Sequence, residues 1–244
     1  MLGEWFVEKE KTLDINRVKF EHLERQVMKR LPSNQAAWLL EEMRRLKSQP
    51  LHTLVLGYKE YVMMLAERRG KIIQLLPLEE TDITLDSTAT QVLSEVLIHL
   101  LHNAIEHGIE LPNERSRVGK SSMGTIEFKL GQSLKPGYLA LCVQDDGRGM
   151  DTKAIRRLMV QRKITSEHQI HELSEEEVVD WIFTEGLTTS TIVTEFSGHG
   201  MGLAAARDAL ITVGGSIRAT FATGQSSQLH IEIPCYADNL RNIS

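Results

Sequence analysis

Phe20, Leu23, Val27 and Leu31 recur at steps of three and four, which predicts an amphipathic helix over residues 12–31. Pro32-Ser33-Asn34 breaks that pattern, and Asn34 can cap a second helix carrying Trp38, Leu39, Met43 and Leu46. Pro50 closes this hairpin, and an apolar stripe from Leu51 to Ala66 predicts a third helix with Gly70 as its left-handed C-cap. Ile72, Ile73, Leu75 and Leu76 read as a short strand. Val92, Leu93, Val96, Leu97, Leu100, Leu101, Ala104 and Ile105 form the most apolar helix, which belongs at the centre of a core and ends at Gly108. Strands follow at Ile126, Phe128 and Leu130 and at residues 138–144, then two weak helices near residues 155–159 and 178–183. A Thr- and Gly-rich stretch over residues 186–202 leads into a helix over residues 203–213, and two strands joined at Gly224 close the chain. Helices first, then helices and strands without regular alternation, predict an α+β fold: a two-layer sandwich behind a helical leader.

The 244 residues suffice for one sizeable core, with 41% hydrophobic and 25% charged residues, so disorder of the whole chain is excluded. A net charge of −5 argues against a nucleic-acid binder. Cys142 and Cys235 stand far apart, which fits a reducing compartment and excludes a disulfide scaffold. No apolar run is long enough for a membrane span, and the first residues lack the pattern of a signal peptide. The expectation is a cytoplasmic protein. The acidic run over residues 172–180 reads as a solvated helix face.

Three segments are poor core material beside the strongest core elements. His99, Asn103 and His107 fall four residues apart on the apolar helix, predicting one polar stripe that needs partners. The stripe reads first as an internal hydrogen-bond network or plain solvent exposure; a metal site of the two histidines is conceivable, but no nearby acid or Cys has ligand spacing. Asp145-Asp146-Gly147-Arg148-Gly149 follows a strand directly, as either an Asp-Gly turn or a carboxylate with backbone open to a ligand. Ser197-Gly198-His199-Gly200-Met201-Gly202 opens a helix with glycines at every second position, the composition of an anion cradle. Gly119-Lys120-Ser121 falls short of a P-loop, because Glu114 stands where the first glycine is required.

Taken in order, these segments resemble the nucleotide-binding fold of the GHKL superfamily, which groups histidine kinases with Hsp90, gyrase and MutL. The match is nearest to the kinase core of chemotaxis-type histidine autokinases, the CheA family. HLLHNAIEHGIELPNERSRVGK is similar to that family's N box and following loop, and VQDDGRGMD to its G1 box. Phe183-Thr184-Glu185-Gly186-Leu187-Thr188-Thr189 resembles the F box, and residues 193–202 the G2 box. QPLHTLVLGYKEYVMMLAERRGK resembles the lead-in, so the likeness spans residues 46–234.

The resemblance implies the Bergerat fold, a mixed sheet with helices on one face, and ATP with Mg²⁺ as ligands. Asn103 would hold the Mg²⁺, with His99 where Hsp90 and gyrase carry a general-base Glu, and His107 would face the phosphates. Asp145 would accept from the adenine amino group, Gly147 and Gly149 would admit the ring, and Ser227 would stand where the family has a Thr. Gly198, Gly200 and Gly202 would close over the phosphates. The implied organisation is a leader over residues 1–48 for dimerisation or linkage, an ATP-binding domain over 49–236 and a tail over 237–244. The implied activity is phosphoryl transfer to a histidine, with a histidine-phosphotransfer domain or protein and a response regulator as partners and a homodimer formed through the leader. An ATP-binding regulatory module and a GHKL-type ATPase are the alternatives. His22 is the leader's candidate acceptor, although Leu23 follows it where an acid is expected. His199, Ala204 and Ser226 depart from the family pattern.

Overall fold

Pro32 cannot donate the amide needed to continue the first helix, and it separates α1 (Arg17–Arg30) from α2 (Ser33–Leu46). The computed structural model describes residues 17–46, 49–81, 83–184 and 202–235, so the predicted start of the first helix lies outside the described residues. The hairpin falls in a unit of its own, Met1–Lys47, separate from Ser48–Ser244. Phe20 and Val27 bury against Ala36 and Met43, with Leu31, Leu39 and Leu40 packed around them. Leu23 is 50% exposed and Trp38 66% exposed, contrary to the sequence pattern. Two helices cover only a narrow seam: Leu23 flanks it, and Trp38 lies across α2 from Ala36 and Met43. Asn34 sits inside the first turn of α2 rather than capping it, since Ala36 N–H already bonds Pro32 O at 2.9 Å.

The second unit begins with β1 (Gln49–Pro50), α3 (Leu51–Leu56) and α4 (Lys59–Arg68). One helix is predicted over residues 51–66, but two form. Tyr58 N–H turns to Val55 O at 3.1 Å, and this tighter step points the phenol inward, where its oxygen meets Ser94 Oγ at 2.7 Å. Gly70 ends α4 as predicted, at φ +63°, with Lys71 N–H on Ala66 O and Gly70 N–H on Glu67 O.

Then come β2 (Ile73–Leu75), β3 (Thr84–Leu85), α5 (Ser87–Asn103), α6 (Pro112–Arg117), β4 (Gly124–Gln132) and β5 (Tyr138–Asp145). The chain continues through α7 (Thr152–Gln161), α8 (Glu175–Asp180), α9 (Leu203–Thr212), β6 (Ser216–Ala222) and β7 (Ser226–Pro234). The main sheet has the order β2-β4-β5-β7-β6, with β2 parallel to β4 and every other pair antiparallel. β1 and β3 form a separate two-residue ladder, too short to leave a sequence pattern.

Leu93, Val96, Leu97, Leu100 and Leu101 of α5 are fully buried in one core with Ile126, Leu139, Leu141, Ile231 and Ile233 of the sheet. Each such side chain contributes roughly 1.5–3 kcal/mol. Burial alternates residue by residue along β5 and β7, so one face of the sheet meets the helices and the other stays partly open. This is the mixed, two-layer α/β sandwich that the sequence implies. The acidic run forms α8, capped reciprocally by Ser174 and Glu177.

Candidate nucleotide site

Asp86 starts α5 by accepting the amides of Thr88 and Ala89, both at 2.8 Å. The buried stripe then carries the helix straight to Asn103. At Ala104 it widens into a single π turn, Ala104–Gly108, closed by Ile109 N–H on Ala104 O at 2.8 Å. Such turns leave carbonyls in need of donors and recur at functional sites. Lys71 Nζ supplies Ile105 O, and Glu106 O at 3.0 Å, while Arg148 N–H supplies Gly108 O at 2.9 Å.

The widened turn corrects the predicted stripe of three. His99 and Asn103 stay together, Asn103 Nδ2 donating to His99 Nε2 at 3.1 Å, but His107 moves out of step and is exposed. Burial, with a smaller push from His102, lowers the His99 imidazole to about 4, so it is neutral near pH 7. Its Nε2 is then the acceptor and its proton sits on Nδ1. Among the described residues, the Oδ1 of Asn103 has no hydrogen bond. No group of three or more His, Cys, Asp or Glu among those residues could hold a metal ion.

Asp145 ends β5 as one of few buried charged side chains, paired in register with Ser227 of β7. Its Oδ1 accepts from Gly147 N–H at 2.9 Å and from Ser227 Oγ at 3.4 Å, and neither bond uses Oδ2. Burial pushes the carboxyl up to about 6; the bonds from Gly147 and Ser227 pull it down, and Asp146 and Glu110 push it up. Gly108, at the end of the π turn, lies against this carboxylate: a Cβ there would be 3.0 Å from Oδ1. The core helix and the strand-end acid therefore meet at one place.

Backbone packing requires both glycines after Asp145. A Cβ on Gly147 would come within 2.3 Å of Gly108 C and O. Gly149 has φ +63°, and a Cβ there would sit 2.4 Å from Ala222 O. Gly224 N–H on Arg148 O at 2.7 Å ties the same loop to the β6–β7 turn.

Arg115 and Lys120, noted in the sequence only as part of the N-box loop and the failed P-loop, hold this loop from behind together with Glu110. Arg115, only 1% exposed, donates to Glu110 Oε2 at 3.0 Å, Asp146 Oδ2 at 2.8 Å, Asp146 O at 3.2 Å and Ser121 O at 2.6 Å. Lys120, the lysine of the failed P-loop, donates to Glu110 Oε1 at 3.0 Å, Asp146 O at 2.9 Å and Gly147 O at 2.6 Å. Burial pushes Glu110 up, but Lys120 and Arg115 hold it below the ordinary carboxylate range. The available signal was one acid and two bases in a short loop between two buried elements.

Gly198 and Gly200 lie outside the described residues, as do His199 and the F-box residues after Thr184. Gly202 is the N-cap of α9 and uses no side-chain bond there. Arg207 of α9 pairs with Asp180 and stacks on Phe183, 4.4 Å from its ring centre. A cavity of about 790 Å³ opens elsewhere, lined by Trp181, Arg218, Thr220 and His230, and includes none of the predicted site residues.

The gliding motility regulatory protein of Myxococcus xanthus is 30% identical over 76% of this chain and 23% of its own length. The chemotaxis protein CheA of Bacillus subtilis is 28% identical over 86% of this chain and 32% of its own length. The chain thus spans about a quarter to a third of these curated relatives. Among solved structures, the catalytic domain of the histidine kinase ThkA aligns with 77% of this chain and 93% of its own, at 18% identity and a TM-score of 0.49. The histidine kinase domain of the blue-light activated kinase of Erythrobacter litoralis aligns with 89% and 95%, at 13% identity and a TM-score of 0.43. Residues 88–237 match the family model described as histidine kinase-, DNA gyrase B-, and HSP90-like ATPase, and the chain belongs to that family.

Proposed function

We propose that this chain is the ATP-binding catalytic part of a protein histidine kinase, moving the γ-phosphoryl group of Mg-ATP to a histidine on a separate phosphotransfer domain or protein. The observation that carries the reading is the buried Asp145 carboxylate, whose Oδ2 has no hydrogen bond among the described residues, set against the π turn that follows Asn103. In this reading Oδ2 accepts from the adenine amino group. Asn103 Oδ1 suits Mg²⁺, which prefers oxygen ligands and, when bound with a nucleotide, needs only one or two from the protein. The ion would supply charge neutralisation along the phosphates. His99, neutral near pH 7, orients the Asn103 amide. The acceptor imidazole attacks the γ-phosphorus; a nitrogen–phosphorus bond forms as the bond to the β–γ bridging oxygen breaks, and ADP leaves.

In the same reading, residues 49–236 are the ATP-binding domain and residues 237–244 a tail. The exposed Leu23 and Trp38 support a homodimer formed through the leader. No helix among the described residues is long and apolar enough to cross a membrane, and we place the activity in the cytoplasm with a response regulator downstream.

The test is a titration of a fluorescent ATP analogue, with and without Mg²⁺, into wild type, Asn103→Asp and Asp145→Asn. Labelled ATP is then incubated with a histidine-phosphotransfer protein. The reading expects Asp145→Asn to abolish binding, Asn103→Asp to remove only the Mg²⁺ effect, and label to reach the added histidine even in His22→Ala. No binding by wild type refutes it; binding without transfer to any histidine makes the chain a regulatory ATP-binding module.

A further inference from the structure

The peptide between Asp146 and Gly147 has unusual neighbours. Its carbonyl, Asp146 O, accepts from two cations, Lys120 Nζ at 2.9 Å and Arg115 Nη1 at 3.2 Å. Its amide, Gly147 N–H, donates to Asp145 Oδ1 at 2.9 Å. The C=O and N–H of a trans peptide point in opposite directions, so fixing one end aims the other. Cations on the carbonyl also polarise the amide and make its N–H a stronger donor. Lys120 holds the next carbonyl as well, Gly147 O at 2.6 Å, which removes the remaining freedom of this glycine. The carboxylates of Glu110 and Asp146 balance both cations, so the assembly is neutral and can stay buried.

We propose that Arg115 and Lys120 are positioning residues of the nucleotide site: they aim the Gly147 amide at Asp145 Oδ1, which keeps the other carboxylate oxygen turned to the ligand's exocyclic amine. The inference rests on the reading that Asp145 receives adenine. It adds that base selection depends on two cations that do not touch the base. The charged groups acting on Asp145 are Asp146 and Glu110, and both oppose its ionisation. The Gly147 amide counters them, so weakening it favours the protonated acid, which no longer distinguishes an amine from a carbonyl.

A folding staple would act differently, because its loss lowers affinity for every nucleotide alike. The decisive measurement is therefore calorimetric binding of ATP and of ITP, which carries an oxygen in place of the amine, across pH 5–8. Lys120→Met should lose about tenfold in ATP affinity but less than about threefold in ITP affinity. Its midpoint for ATP binding should rise by about half a pH unit or more. Lys120→Arg should restore both, and Lys120→Gln serves where the Met variant does not fold. Equal losses for ATP and ITP with an unmoved midpoint overturn the proposal and leave a structural staple. Unchanged selectivity in Lys120→Met, alongside a wild type that does bind ATP through Asp145, overturns this inference alone. Failure of wild type to bind either nucleotide overturns the proposed function and this inference together.

Discussion

Gly147 packs on Gly108 so closely that a Cβ on the former would sit 2.3 Å from two backbone atoms of the latter. This contact joins the end of the core helix to the loop after β5. Gly147→Ala must therefore push the loop away from the π turn, at a cost of about 2 kcal/mol or more. Gly137→Ala is the contrasting control: it has positive φ, +76°, and nothing within 4 Å, so only about 1–2 kcal/mol of backbone strain is expected. Urea unfolding should rank the two in that order. ATP-analogue titration should show binding lost in Gly147→Ala and kept in Gly137→Ala.

Asp145 gives a pH dependence of definite sign. Its folded value of about 6 lies above the ordinary 3.8, so the stability it contributes is complete below pH 3.8 and disappears as pH rises through 6. Asp145→Asn should therefore be more stable than wild type at pH 8, by no more than about 3 kcal/mol, with the advantage gone near pH 4. If Asp145 receives adenine as proposed, nucleotide binding needs the ionised acid and should run the other way in wild type: flat above pH 7 and weakening as pH falls below 6. Thermal melts and titrations at pH 5, 6, 7 and 8 check both.

Most of the fold was legible because hydrophobic period reports burial. The stripe from Val92 to Ile105 and the alternation in β5 and β7 each had one interpretation, and the structure forms those elements. Asp145 was singled out by its motif and Ser227 by the family resemblance, and the β5–β7 register brings the two face to face. What the pattern concealed was backbone hydrogen bonding. Nothing in Ala104-Ile105-Glu106 announces a turn closed five residues back, and that turn takes His107 out of the stripe. The break at Tyr58 was equally hidden, since Tyr58 keeps its apolar place while the helix restarts around it. Lys120 could not be assigned a role because, besides Glu110, it bonds carbonyls 26 and 27 residues away, invisible to local spacing.

His99 behaves opposite to Asp145. Its folded value of about 4 lies below the ordinary 6.5, so its stabilising contribution is complete above pH 6.5 and is lost as pH falls toward 4. His99→Gln keeps an acceptor for Asn103 Nδ2 but cannot titrate. The difference in unfolding free energy between the two proteins should shrink as pH drops from 7 to 4.5, with wild type losing more. Urea unfolding at both values measures it. A constant difference would mean that His99 is not desolvated in the folded chain.

Arg115 should prove the most costly side chain of the loop to remove. It is buried against Glu110 and Asp146, and Arg115→Met leaves the buried Glu110 with Lys120 alone, while the partly exposed Asp146 keeps the Thr125 amide. Breaking a buried pair from one side typically costs about 3–5 kcal/mol. Glu110→Gln should cost less, because its single amide oxygen still accepts from one cation, while Arg115 keeps Asp146 and Lys120 keeps two carbonyls. In Arg115→Met/Glu110→Gln the stranded charge is gone, so the double variant should be more stable than the sum of the two single losses predicts, by about 1 kcal/mol or more. Urea unfolding of the four proteins closes the cycle. Strict additivity would show that Arg115 contributes packing alone, and that its charge is not what holds the Asp146–Gly147 peptide.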